Sequence, residues 1–598
     1  MEIESQIHGK YLEEYLHLGK HKGERGHLEY DWSKKIEEML VQLNFQLVRE
    51  NNQEKCEEIS RTQKNILSNL ISQLETGEIR PSRFQELITM NYKMVAYTRD
   101  IHCGKGEQKL SFILILEWYD IYPSLTKLML KHFFMAPKNL KPLGSWKDVK
   151  YFCEYCLNNG LTVEHPLIKY VFNLTVEQLV NDMLTIEGGN GNISLVAKWI
   201  PREQSKRFGW IFQELSFLYF HCYLETAKTF EKREKALLKC KTAFRKLISY
   251  FNKKLDTVQI NQCSKKWSQI NFEKLTPKTM FKQTKALLNL DEQGGVRTIF
   301  NDRIECAKQF EEYIVSDLLN PSEKHKKNVN LLPGDLVKRA FKLLKSTSTR
   351  AVEVELLNLQ WKKCVSQVDY QENFKTIIPI VDMSSAQENQ LYHAIGLSCL
   401  IAEKSVKRIL FFSSFSHWME FEACGTFFEM IEKINEAKII EKMNMNSNFH
   451  DVFEKIVKSF IEIKSSNIDV QQMSFVIISD MQIDSTFSLG SEKLSLYENI
   501  HEKFSTLGKY PLRKNYKPPH ILFWNMRRTN GFPALPIQYN VSMLSGYHPV
   551  VLNKYLKKSM NDTKDTCNSW FILKKQLNQK RYDFLEEDIN KELFYFFR

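Results

Sequence analysis

Three segments of the 598-residue chain place side-chain oxygens where a hard cation can be held. In Val381-Asp382-Met383-Ser384-Ser385-Ala386 a carboxylate is followed two residues on by a hydroxyl. Ile478-Ser479-Asp480-Met481 ends another apolar run in a carboxylate, and Asn446-Ser447-Asn448 precedes an amphipathic stretch. Mg2+ takes oxygen ligands and keeps several waters, so Asp382, Ser384, Ser447 and Asp480 suffice as protein ligands. The structural alternative is that these short polar side chains only cap helices and order turns, Ser447 as an N-cap. Two carboxylates around a metal can also serve hydrolysis. A hydrolase, however, needs more ligating oxygens and a general base. No Gly-x-Ser-x-Gly elbow, His-Glu-x-x-His, dinucleotide fingerprint or kinase set occurs. His102, His393, His417 and His548 show no catalytic-triad pattern in the sequence. The expectation is therefore binding, with no catalytic residues.

A second set of residues is basic. The formal net charge is +13, and residues 201–300 alone carry 20 Lys and Arg against 9 Asp and Glu. A focused excess of this kind favours an anionic partner, nucleic acid first. Within it, Lys228, Lys232, Lys235, Lys239 and Lys246 recur at helical offsets that share a face, and Arg245 widens the surface. The functional reading is a ridge that tracks RNA phosphates, and the alternative is a solvated helix face. Arg99, Lys105 and Lys109 cluster about Gly104 and Gly106 ahead of a predicted helix, where backbone N–H groups can hold phosphate. The spacing is not that of a P-loop, and the competing reading is a helix–helix turn tied by Arg99 and Asp100.

These residues need elements to position them. Residues 1–32 read as a polar, His-rich arm, extended or partly ordered. Residues 33–365 read as a helical array, with stretches near 83–98, 109–119, 146–158, 167–184 and 210–252 separated by Gly, Pro and Asn breaks. From 370 to 598 short apolar runs alternate with amphipathic helices: Ile377–Val381, Ile409–Phe412, Phe475–Ile478, Ile521–Trp524 and Val541–Leu544. Such runs suit strands buried on both faces of a parallel sheet, and the alternation predicts a doubly wound α/β domain that binds at its strand carboxyl ends. The fold class is thus multi-domain, α followed by α/β.

The 12 cysteines are scattered and read as reduced thiols, including the Cys153/Cys156 pair, which lacks a second ligand pair for zinc. No apolar run approaches the roughly 20 residues of a membrane span, and the N-terminus lacks a signal-peptide core. No membrane insertion is expected, and the location is intracellular, in the cytoplasm.

The metal residues resemble the metal-ion-dependent adhesion site (MIDAS) of von Willebrand factor A domains. That resemblance implies ligands at Asp382, Ser384, Ser447 in place of the motif Thr, and Asp480, with Ala386 where a second Ser belongs. It also implies an acidic partner side chain completing the cation's coordination. Seven segments in order resemble the family called domain of unknown function 2828, over roughly residues 80–575. They are Tyr97-Thr-Arg-Asp-Ile-His-Cys-Gly-Lys-Gly-Glu107, Leu143-Gly-Ser-Trp-Lys-Asp148, Ile193-Ser-Leu-Val-Ala-Lys-Trp-Ile-Pro201, Ile380-Val-Asp-Met-Ser384, Ser479-Asp-Met-Gln482, Phe523-Trp-Asn-Met-Arg527 and Leu544-Ser-Gly-Tyr547. Plants, fungi and large DNA viruses carry such proteins, and the Lys-, Asn- and Ile-rich composition suits a virus with an AT-rich genome. A viral chain would reside in host cytoplasm or virion. The architecture, helices before an A-like domain, is similar to the TROVE-containing Ro ribonucleoproteins. This implies a HEAT/TROVE-like array, RNA as partner and a non-catalytic scaffold role. The alternative is an assembly factor that acts through the A-like domain without RNA.

Overall fold

The computed structural model describes residues 19–135, 140–189, 192–319, 331–346, 351–368, 376–384, 387–413, 416–438, 449–462, 467–482, 494–507, 517–556 and 568–596. They fall into two compact units, neither continuous in sequence.

The first unit draws on residues 1–98, 102–105 and 314–583. It holds a hairpin, β1 (Lys20–Lys22) and β2 (Leu28–Tyr30), and a sheet of β3 (Ile377–Asp382), β4 (Arg408–Phe412), β5 (Ser416–Glu420), β6 (Ser474–Ser479), β7 (His520–Asn525) and β8 (Val541–Ser545). The sheet order is β5-β4-β3-β6-β7-β8, parallel except for the antiparallel edge strand β5. Its apolar runs are buried on both faces, as the sequence predicts for a doubly wound α/β sheet. Strand order reverses between β3 and β6, the place where such sheets open a crevice at their carboxyl ends. Val381 pairs with Ile478, so Asp382 and Ser479 end neighbouring strands.

Of the predicted arm, the structure describes residues 19–32. They form the hairpin, and residues 1–18 lie outside the described set. The helices Ile36–Gln46 and Gln53–Glu75, and Pro81–Arg99 up to Thr98, belong to the sheet's unit. One reason is polar. The Asn525 amide at the end of β7 donates to the Phe45 carbonyl at 3.1 Å, and the Ser545 hydroxyl at the end of β8 donates to that of Asn44 at 2.7 Å. The helices Pro333–Leu344 and Glu388–Lys404 approach closely through glycines. A Cβ on Gly334 would lie 2.3 Å from His393 Nδ1, and one on Gly396 2.6 Å from the Pro333 carbonyl carbon.

The second unit draws on residues 99–101, 106–313 and 584–598. It is helical, with Gln108–Tyr119, Pro123–Phe134, Lys147–Asn158, Pro166–Glu187, Gly209–Tyr219, Phe230–Lys254 and Pro277–Leu287 as its longer described helices up to residue 287. The single stretch expected near 210–252 is broken into Gly209–Tyr219, His221–Glu225 and Phe230–Lys254. Thr229 caps the last of these by accepting from the Lys232 amide, so Lys228 precedes the helix. Cys153 and Cys156 are buried on the core side of Lys147–Asn158, and burial raises both thiols, Cys156 to about 12. The described cysteines are free, and no helix among the described residues is long and apolar enough to cross a membrane.

Candidate functional site

At the sheet's carboxyl edge Asp382, Ser384, Ser479 and Asp480 are all buried. Asp382 Oδ1 accepts from the Ser384 amide at 2.9 Å and its hydroxyl at 2.7 Å, while Oδ2 accepts from the Ser479 hydroxyl at 2.8 Å. Burial, and then the Asp480 carboxylate, push the Asp382 carboxyl above the usual carboxylate range against these hydrogen bonds. Asp480 Oδ1 accepts from the Gln482 amide at 3.1 Å, and its Oδ2 pairs with Arg527 Nε at 3.3 Å. The structure thus brings three of the four expected metal positions, Asp382, Ser384 and Asp480, to one edge. Ser447 and Ala386 lie outside the described residues.

The hairpin turn supplies an unforeseen cation. Arg25 Nη1 donates to the Ser384 hydroxyl at 2.8 Å and to the Gln482 carbonyl at 3.3 Å, and Nη2 donates to the Ser384 carbonyl at 2.8 Å. Neighbouring turn residues are held too. The Glu24 amide donates to Gln482 Oε1 at 2.8 Å, the Gln482 amide nitrogen donates to Glu29 at 2.7 Å, and Glu24 pairs with Arg527 at 2.7 Å. This tests the fit of a divalent cation. The Ser384 hydroxyl gives its proton to Asp382 and its lone pair to a guanidinium, so a dication on that oxygen would face a positive charge at hydrogen-bond distance. With Arg25 in place the donor set fits a guanidinium and does not fit Mg2+. Among the described residues no group of three or more His, Cys, Asp or Glu is arranged to hold a metal.

Of the basic residues, two do not reach solvent. Arg99 is buried, and its Nε donates to Asp148 at 2.7 Å. Asp148 also accepts from Gln108 and from the Ser145 amide. Lys105 is buried with its ammonium donating to the carbonyls of Asn44 and Leu47 and to the Ser545 hydroxyl. It thus caps the carbonyl end of Ile36–Gln46, where the helix dipole favours a cation. The Gly104–Gly106 segment is therefore corrected from a phosphate cradle to a structural turn that buries its charges. Lys109 is half-buried in the first turn of Gln108–Tyr119.

The ridge residues lie on or just before Phe230–Lys254. Lys228, Lys232, Lys235, Lys239, Arg245 and Lys246 are all exposed, while Ala236, Cys240, Phe244 and Phe251 face the core. Arg245 pairs with Glu203 at 2.8 Å, and Lys239 Nζ sits 4.0 Å from the Tyr223 ring centroid. The sequence reading missed Arg25, Gln482 and Arg527 at the sheet edge. Gly23 and Gly26 flank Arg25 as a turn signal, but nothing local names its partner.

Two family models match the chain, one after the other in sequence. Residues 164–373 match the family model described as domain of unknown function (DUF2828), and residues 377–592 match domain of unknown function (DUF7788). The span expected for one family is thus shared by two models. No curated protein matches the chain. The crystal structure of the RO (RSR) protein of Deinococcus radiodurans aligns with 88% of this chain and 99% of its own, at 10% identity and a TM-score of 0.33.

Proposed function

We propose that this protein is a non-catalytic RNA-binding scaffold of the cytoplasm, in which the helical region 33–365 grips RNA and the A-like region 370–598 is the second functional part. The lysine face of Phe230–Lys254 carries the reading. Lys232, Lys235, Lys239 and Lys246 run along one exposed side, and no carboxylate among the described residues pairs with any of them. At 1.5 Å rise per residue this ridge is about 21 Å long. Lysines held in a row without acidic partners repel one another, and a polyanion relieves that repulsion while its condensed counterions are released.

At the sheet edge, Mg2+ and the carboxylate of an acidic protein partner are ligands of a second state, reached when Arg25 withdraws from Ser384. The convergence of Asp382, Ser384 and Asp480 supports that reading. The test of the main proposal is the triple variant Lys232→Glu, Lys235→Glu, Lys239→Glu. All three side chains are exposed, so circular dichroism should be unchanged. Affinity for a structured-RNA pool should fall at least about tenfold, with a salt dependence shallower by two to three contacts' worth at about 0.7–0.9 each. Unchanged affinity in the folded variant rejects the ridge.

A further inference from the structure

Two of the ordered segments quoted above, Leu143–Asp148 and Ile193–Pro201, meet on one surface of the helical unit together with Arg207 and Phe208. Lys150 Nζ lies 5.3 Å from the ring centroid of Trp199, 5.4 Å from that of Tyr151 and 5.4 Å from that of Phe208. Lys147 Nζ lies 5.2 Å from Tyr151 and 5.8 Å from Trp199, and Lys198 Nζ lies 5.9 Å from Trp199. The Arg207 guanidinium stands 4.9 Å from Phe208 and 5.8 Å from Tyr151 and is held by Glu154. The three lysines and the three rings are half-buried, and no carboxylate among the described residues pairs with Lys147, Lys150 or Lys198. Burial lowers all three ammonium groups. Like charges act with it, Lys278 and Lys282 upon Lys147 and Arg207 upon Lys150.

An arrangement that half-buries cations among cations, with ring faces as the nearest groups to the three lysines, leaves room for a stronger partner. Each ring attracts the ammonium through its quadrupole, but that is weak beside a phosphate oxygen. The rings also offer π-faces on which a base can stack, once the lysine turns to a phosphodiester. The surface is firmly based. Asp148, next to Lys147, is the buried partner of Arg99, and the Asn252 amide of the lysine-ridge helix donates to the Ala197 carbonyl at 3.3 Å.

We infer that Lys147, Lys150, Lys198 and Arg207 with Trp199, Tyr151 and Phe208 form a binding site for single-stranded RNA. The cations take the phosphodiester and Trp199 stacks an adjoining base. The inference rests on the RNA reading above and adds where an unpaired strand is held.

The experiment uses the full chain and two probes, a fluorescent ten-nucleotide oligouridylate and an RNA duplex of equal length, at several salt concentrations. Trp199→Ala should weaken oligouridylate binding by about 5- to 150-fold, the range for losing one stacked base. Trp199→Phe should retain most of it. Lys150→Gln should weaken it at least about threefold and make its salt dependence shallower by about one contact. Duplex binding should move less in all three. Trp199→Phe keeps a ring in place, so it separates loss of stacking from loss of folding. If the wild-type chain binds the oligonucleotide and neither Trp199→Ala nor Lys150→Gln changes it, this site is rejected while the RNA reading stands. If Lys150→Gln acts and a folded Trp199→Ala does not, base stacking is rejected. If the wild-type chain binds neither probe, the RNA reading fails and the site with it.

Discussion

Arg25 and Ser384, 359 positions apart in the chain, are joined twice, the guanidinium donating at 2.8 Å to both the hydroxyl and the carbonyl oxygen of the serine. The edge that carries Asp382 and Asp480 is therefore served by a cation of the chain itself. Arg25→Ala should lower stability by about 1–3 kcal/mol, because it leaves buried acceptors without a charged donor. It should also open the edge to metal. Mg2+ is expected to raise the melting temperature of Arg25→Ala more than that of the wild-type protein, in which Arg25 competes with the ion, and adding Asp382→Asn should abolish the gain. An equal Mg2+ shift in both proteins would show that Arg25 does not exclude the ion.

Arg99 and Asp148 form a buried ion pair inside the helical unit. Removing one member of such a pair strands the other charge, at a cost of about 3–5 kcal/mol. Asp148→Ala should therefore be strongly destabilised in urea unfolding, and Asp148→Asn, which keeps acceptor and shape, less so. A loss under 1 kcal/mol for Asp148→Ala would place Arg99 at the surface.

Acid should destabilise the sheet unit through histidine. His393 is buried with its ring stacked on Tyr547, centroids 4.2 Å apart, and Arg49 and Lys338 add positive potential. Burial first, and then those cations, hold its imidazole down to about 3, while burial holds His501 down to about 4. In the unfolded chain a histidine titrates near about 6.5. Between that value and the depressed ones the unfolded state binds protons that the folded state does not. Stability is therefore fully present above about pH 6.5 and is lost as pH falls, by up to about 1.4 kcal/mol per pH unit for each group. Urea unfolding at pH 7, 6 and 5 should show the slope, and His393→Phe should remove its share. The same slope in variant and wild type would contradict this assignment.

The close crossing of Pro333–Leu344 with Glu388–Lys404 makes a packing prediction. A methyl on Gly396 meets backbone at 2.6 Å, which a flexible side chain cannot relieve. Gly396→Ala should destabilise by about 1–3 kcal/mol in denaturant. A neutral or stabilising effect would show that the helices can separate freely.

The central strands were legible because each is a short apolar run, and Ile377–Val381 and Phe475–Ile478 fall entirely within β3 and β6. Edge strand β5 was not. Its Ser416-His-Trp-Met-Glu420 has one buried residue among exposed and half-exposed ones, so it offers no such run. Asp382, Ser384 and Asp480 were recognised from strand-end position and residue type. Arg25 was invisible, since its partner is set by how the hairpin folds back on the sheet. Arg99 and Lys105 carry the residue types of a phosphate site, but tertiary packing buries both. The segment Ile193–Pro201 offers no local sign of a site at Trp199, and only the folded unit shows three lysines gathered about it and its neighbours.

The most direct test of the central claim is binding of the full chain to a structured-RNA pool across a salt series. Submicromolar binding is expected at low salt, falling by about tenfold or more for a fourfold rise in salt, as release of several counterions requires. Absent binding, or binding indifferent to salt, would contradict that claim.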